Sequence, residues 1–278
     1  MRKLRISAIS YLNTAPLMWD FEQGDAGRHF DISYTLPSGC ARALANREAD
    51  IGIIPAAAYA QIPGLQILPD VAIASKRAVR SILLVSKLSL EKVRTVALDT
   101  SSMTSVALTK ILFEKWLGGG RTFQPMAPDV ERMLGECDAG LLIGDPALQV
   151  DRSRYRTLDL AEEWIRHTGK PFVFAFWAVR GDALAEADPA LDLAAIFRES
   201  RDRGLKPASL ELISRAWAAQ LGLSQEDVGS YLRENIHYQL DPDCRGGLEL
   251  FYRYAAETGA FPPAPELQFL DSVREVAR

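Results

Sequence analysis

Four times along this chain a short apolar run breaks into a turn built from Ser, Thr, Asn, Asp, Gly or Pro, and a helical pattern follows at once. Residues 4–9 lead into Ser10-Tyr11-Leu12-Asn13-Thr14-Ala15-Pro16-Leu17, and residues 32–35 into Pro37-Ser38-Gly39. Residues 93–98 lead into Asp99-Thr100-Ser101-Ser102-Met103-Thr104-Ser105, and residues 139–143 into Gly144-Asp145-Pro146. A helix start leaves backbone N–H groups without intrahelical partners, so it attracts side-chain oxygens and anions alike. Any one of these turns is ordinary capping, with Asp145 expected as an N-cap and Pro146 at the first helical position. Four of them at strand C-termini, where α/β sheets place their ligands, point to one cleft for a small anion.

The strand-helix rhythm extends this reading. Strands are expected at 4–9, 32–35, 51–54 and 65–74, alternating with helices as in a parallel sheet, and a further strand at 81–86. A second, smaller series occupies residues 87–166, with strands at 93–98, 122–126 and 139–143 and helices at 103–117 and 129–136. Residues 171–179, Pro-Phe-Val-Phe-Ala-Phe-Trp-Ala-Val, form an apolar strand buried on both faces. Helical periodicity then marks 183–203, 209–221, 224–235 and 244–259. The expected fold is α/β and two-lobed, with a cleft between the lobes: 1–84 and 180–278 form a discontinuous lobe I, and 85–179 form lobe II. Strand passages near 81–86 and 172–179 would make a two-segment hinge.

With 278 residues, 48% of them hydrophobic, the chain can bury a substantial core. A net charge of -4, with Lys and Arg scattered among acids, argues against nucleic acid or a membrane surface as partner. Cys40, Cys137 and Cys244 are odd in number and far apart, without a CxxC pair, so neither a disulfide framework nor a metal site is expected. Polar residues interrupt the first apolar run before it reaches signal-peptide length, and no apolar stretch of about 18 residues follows. The expected compartment is the cytoplasm, and no cofactor is expected.

The motifs also resemble a known family. Ser10 to Leu17, Pro37-Ser38 with Ala49-Asp50-Ile51-Gly52-Ile53-Ile54-Pro55, Leu98 to Ser105, Ile143-Gly144-Asp145-Pro146-Ala147-Leu148 and Thr168-Gly169-Lys170-Pro171-Phe172-Val173-Phe174-Ala175 together resemble the chorismate dehydratase family of the futalosine route to menaquinone. Each motif alone is weak, but their order and spacing over nearly the whole chain are specific. The resemblance implies a type II periplasmic-binding-protein-like fold and a lyase that removes water from chorismate, giving 3-[(1-carboxyvinyl)oxy]benzoate. The C3 proton and the C4 hydroxyl depart and the ring becomes aromatic, so much of the driving force lies in the substrate.

With that resemblance, Asn13 and Ser81 are the expected catalytic residues, Asn13 steadying the departing oxygen and Ser81 facing the cleft at the first inter-lobe strand. Tyr11, Ser38, Thr100, Ser101, Ser102, Thr104, Ser105 and Asp145 are the candidate substrate-binding residues. Helical spacing allows only two or three of the five hydroxyls from Thr100 to Ser105 to face a ligand. An ionised Asp145 beside a dianion is unfavourable, so capping or orienting a neighbour suits it better. His29, His167 and His237 all fall outside the strand-end motifs. With no evident protein base in those motifs, a carboxylate of the substrate itself is the expected acceptor of the C3 proton. Two other functions fit the pattern: a small-anion binding protein without catalysis, and the related naphthoate-forming enzyme of the same route, against which the Tyr-Leu-Asn-Thr-Ala-Pro opening argues.

Overall fold

The computed structural model describes residues 2–270. Ten strands run in order β1 (Leu4–Ile9), β2 (Phe30–Thr35), β3 (Ile51–Pro55), β4 (Leu65–Ser75), β5 (Ile82–Ser86), β6 (Thr95–Asp99), β7 (Thr122–Met126), β8 (Ala139–Ile143), β9 (Arg156–Asp159) and β10 (Phe172–Arg180). They form two five-stranded sheets of matching design, β2-β1-β3-β10-β4 and β7-β6-β8-β5-β9. In each, three parallel strands are joined by an antiparallel strand from a distant part of the chain: β10 lies between β3 and β4, and β5 between β8 and β9.

These exchanged strands are apolar because both faces of a central strand are covered. β5 is buried from end to end, and β10 from Phe172 to Val179. β7 is an edge strand with Pro125 in it, and an edge tolerates a residue that cannot donate to a ladder. The sheet boundaries depart from the expected 85–179 range at both ends, since pairing in the second sheet begins at residue 82 and β10 belongs to the first. Hydrophobicity marks a central strand without saying which sheet it completes.

Local differences have equally plain causes. The segment after β1 is a 3-10 helix, Leu12–Met18, that carries Pro16 inside it rather than at its start. The helix after β8 is Gly144–Leu148, capped by Ile143, so Asp145 lies inside its first turn and is not the N-cap. The pattern over 183–203 divides into Gly181–Leu184 and Leu193–Gly204, the latter capped by Asp192 accepting from the Ala195 amide. Residues 224–235 form the helix Gln225–Ser230 running into a π-helical turn, Tyr231–Asn235. Strand β9 and the helix Leu160–Thr168, which Asp159 caps through the Ala161 and Glu162 amides, have no long apolar run and were not expected.

The C-terminal helices pack back onto the first sheet and brace the tip of β1. Ser200 donates to the Leu17 carbonyl at 2.8 Å and accepts from the Asp20 amide at 3.0 Å. Gly204 lies so close that a β-carbon there would stand 1.9 Å from the Pro16 carbonyl oxygen. The loop carrying Tyr11 and Asn13 is therefore held from behind by a helix nearly two hundred residues later.

Candidate active site

The turns after β1, β6 and β8 converge between the two sheets on one cleft. Ile9, Tyr11 and Asn13 come from the β1 tip, Ser102, Thr104 and Ser105 from the turn after β6, and Ile143 and Gly144 from β8 and its helix start. Pro37, Pro55, Ile73, Ile82, Phe174 and Ala175 complete an otherwise apolar wall. None of these lining residues is charged. The polar side chains among them are the Asn13 amide and the hydroxyls of Tyr11, Ser102, Thr104 and Ser105.

Hydrogen bonds tie the two sheets together around this cleft. The Ser38 amide donates to the Ser101 carbonyl at 3.0 Å, and its hydroxyl to the Thr100 carbonyl at 3.3 Å. The Leu12 amide donates to Asp145 Oδ1 at 3.0 Å. Thr104 Oγ1 accepts from the Ala57 amide at 3.1 Å and donates to the Phe174 carbonyl at 3.1 Å. Tyr11 closes the set, its hydroxyl 3.3 Å from Ser101 Oγ.

That last contact has a direction. Buried Asp99 accepts from the Ser101 amide at 2.8 Å and from the Ser101 hydroxyl at 2.6 Å. With its proton on Asp99, Ser101 Oγ is left as the acceptor for Tyr11. Burial raises Asp99 above its ordinary range, opposed by these bonds, and burial pushes Tyr11 up to about 12, so its phenol keeps its proton at neutral pH. Gly144 makes the fit possible: its φ of 61° favours glycine, and a β-carbon there would stand 2.5 Å from the Tyr11 ring.

The profile of the family described as Menaquinone biosynthesis matches residues 4–257, with β1 to β10 and the cleft inside that span. The chain belongs to this family. It is also similar to a chorismate dehydratase of Thermus thermophilus, 30% identical over 95% of this chain and 98% of that one. Among solved structures, a protein of Archaeoglobus fulgidus superposes with a TM-score of 0.72 at 19% identity, covering 93% of this chain and 98% of that one. The periplasmic aliphatic sulphonate binding protein of Escherichia coli does so with a TM-score of 0.63 at 17% identity, covering 100% and 96%. The fold of this family member is thus the two-lobed, type II periplasmic-binding-protein-like one.

Within this menaquinone-biosynthesis family member, the sequence-derived candidates divide into two groups. Tyr11, Asn13, Ser102, Thr104 and Ser105 reach the cleft wall. Ser38, Thr100, Ser101 and Asp145 bond one half of the protein to the other instead, and Ser81 is fully buried behind the wall. Asp145 does orient a neighbour, the Leu12 amide, and burial pushes it up to about 6.

Ser81 has a partner that sequence reasoning missed: the hydroxyl of buried Tyr231 donates to Ser81 Oγ at 2.9 Å. A tyrosine 150 residues away on a helical pattern carries no local signal of such a role. Asp99, at the end of β6 ahead of a run of hydroxyls, orders Ser101 by accepting from both its amide and its hydroxyl.

Among the described residues one group of metal-ligating side chains, His237, Asp241 and Cys244, brings its ligand atoms within 4.8 Å of one another. It does not suit a cation. Lys76 Nζ already stands 2.6 Å from Asp241 Oδ2, and burial raises the Cys244 thiol up to about 12, keeping it protonated.

Proposed function

We propose that this protein is a chorismate dehydratase that converts chorismate to 3-[(1-carboxyvinyl)oxy]benzoate. The observation that carries the reading is the near full-length similarity to a dehydratase combined with Asn13, the family motif's amide, standing in the cleft wall. The chemistry needs a proton taken from C3, electrons moving to form the new ring double bond, and the C4 oxygen leaving as water. No His, Lys, Asp or Glu is among the lining residues, so the enolpyruvyl carboxylate of the bound substrate takes the C3 proton and passes it to the departing C4 hydroxide, which leaves as water. The Asn13 amide donates to the C4 oxygen as its negative charge grows, while the hydroxyls of Ser102 and Ser105 hold carboxylate oxygens. Apolar residues such as Ile82, Ile143 and Phe174 flank the ring and exclude water.

Two coarser assignments accompany this reading. The lobes follow the sheets, with residues 82–159 forming the second, and the cytoplasm suits three buried, unpaired thiols. No helix among the described residues is long and apolar enough to cross a membrane.

Incubating the purified protein with chorismate and analysing the product by mass tests the reading. A species lighter by one water, with an aromatic absorption spectrum, is expected. Saturable chorismate binding without product would favour a small-anion binding protein without catalysis.

A further inference from the structure

We propose that Asp99 is a positioning residue for the dehydration, holding the Tyr11 ring in the wall of the cleft through Ser101. Its part in turnover rests on the dehydratase reading above.

Asp99 ends β6 and is fully buried. Its Oδ1 accepts from the Ser101 amide at 2.8 Å and from the Ser101 hydroxyl at 2.6 Å, and its Oδ2 accepts from the Ile143 amide at 3.3 Å. Three donors converging on two oxygens suit an ionised carboxylate, which can only accept. Among the described residues, every donor bonded to this side chain is neutral. Burying a carboxylate without a counter-charge costs stability, and groups so placed beside a cleft are concentrated at functional sites.

What this carboxylate joins gives the reason. Ile143 lines the cleft at the end of β8, and Ser102, another lining residue, donates its amide to the Asp99 carbonyl at 3.1 Å. Ser101 carries the arrangement across to the first sheet. Its carbonyl accepts from the Ser38 amide at 3.0 Å, and because its hydroxyl proton lies on Asp99, the Tyr11 hydroxyl at 3.3 Å is the donor to its oxygen. A hydroxyl that donates to a carboxylate is polarised and becomes a stronger acceptor for the next donor. The charge on Asp99 therefore tightens the bond that holds Tyr11.

The Tyr11 ring is confined along its edge as well, by Gly144, where a β-carbon would stand 2.5 Å from it. Both restraints come from turns of the second sheet, while Tyr11 itself follows β1 of the first. The cleft wall thus has a fixed aromatic surface where the two sheets meet. A substrate ring that loses a proton and a hydroxide must keep both breaking bonds aligned, and a wall residue free to move would spread its orientations.

The test is Ser101→Ala, which keeps the backbone bonds of Ser101 and removes only the hydroxyl between Asp99 and Tyr11. Its kcat should fall on the order of tenfold, as for a displaced positioning contact, while KM stays within about threefold. Tyr11→Phe should lower kcat to a similar extent, and the double variant should lose no more than either alone. Asp99→Asn, a weaker acceptor of the same shape, should lose kcat in the same sense. An unchanged kcat in Ser101→Ala, even with a lower melting temperature, or losses that multiply in the double variant would overturn the proposal.

A second readout does not need turnover. In protein with isotope-labelled tyrosine, the Tyr11 ζ-carbon resonance, assigned by its disappearance in Tyr11→Phe, should move in Ser101→Ala and move the same way in Asp99→Asn. A resonance unmoved in either variant would overturn the link. A wild-type protein that forms no product refutes the dehydratase reading alone, and the resonance still decides whether Asp99 holds Tyr11.

Discussion

The Leu12 amide, at the tip of the first sheet's central region, donates to the Asp145 carboxylate of the second sheet's β8 turn at 3.0 Å. A carboxylate half removed from water and satisfied by one amide is poorly placed to stay ionised, and burial accordingly pushes Asp145 from 3.8 up to about 6. The folded protein therefore holds this proton more tightly than the unfolded chain does. The favourable contribution is complete below about pH 4 and is lost as pH rises to about 6, because above that the folded state carries a buried charge.

Asp145→Asn keeps an oxygen for Leu12 and removes that charge. At pH 7 the variant should be more stable than the wild type by on the order of 1–3 kcal/mol, and at pH 4 the difference should shrink towards zero. Thermal melts at the two pH values check this. An equal difference at both would show that the carboxylate does not titrate in that window.

Asn13→Ala separates chemistry from capping. The 3-10 helix Leu12–Met18 begins without a side-chain cap, so losing the Asn13 amide should leave the melting temperature within a degree or two. Turnover of chorismate should fall on the order of a hundredfold, with a much smaller change in affinity, if the amide meets oxygen charge that develops only as the C–O bond breaks. Near wild-type turnover with a lower melting temperature would make the residue structural.

Ser38→Ala reports on closure of the cleft. The Ser38 hydroxyl bonds the Thr100 carbonyl across the two halves, while the neighbouring amide bond to Ser101 survives the substitution. Losing one partly wet hydrogen bond should weaken chorismate binding by about 1 kcal/mol, and kcat should be preserved. Calorimetric titration measures the first and steady-state kinetics the second. A large fall in kcat with unchanged affinity would place the hydroxyl on the substrate.

Gly144→Ala should be more damaging than its size suggests. The left-handed backbone alone costs on the order of 1 kcal/mol for a residue with a β-carbon. Gly222, at φ 67° with nothing within 4 Å of its missing β-carbon, isolates that cost in Gly222→Ala. The additional loss of stability in Gly144→Ala, together with a fall in kcat/KM, should come from displacing the Tyr11 ring that a β-carbon would meet at 2.5 Å. Equal destabilisation by the two variants would show that Tyr11 yields freely.

Local chemistry was enough to reveal much of this protein. β1, β7 and β8 begin and end where the apolar runs and their breakers place them, because a strand's burial and its terminating Ser, Asn, Gly or Pro are properties of neighbouring residues. The turns that carry Tyr11, Asn13, Ser102, Thr104 and Ser105 are legible for a related reason, since a single polar helix start after a strand is ordinary capping while four of them point to one cleft. The tertiary structure decided what those residues face. β10 is apolar on both sides and would suit the centre of either sheet, and only its register with β3 and β4 settles the choice. Ser38, Asp145 and Ser81 look locally like the residues that line the cleft, yet their bonds go to Thr100, Leu12 and Tyr231. These partners lie 62 to 150 residues away along the chain. A hydroxyl or carboxylate has the same pattern in sequence whether its partner is a ligand or a distant backbone, because hydrogen bonding depends on where two groups meet in space, and only packing brings them together.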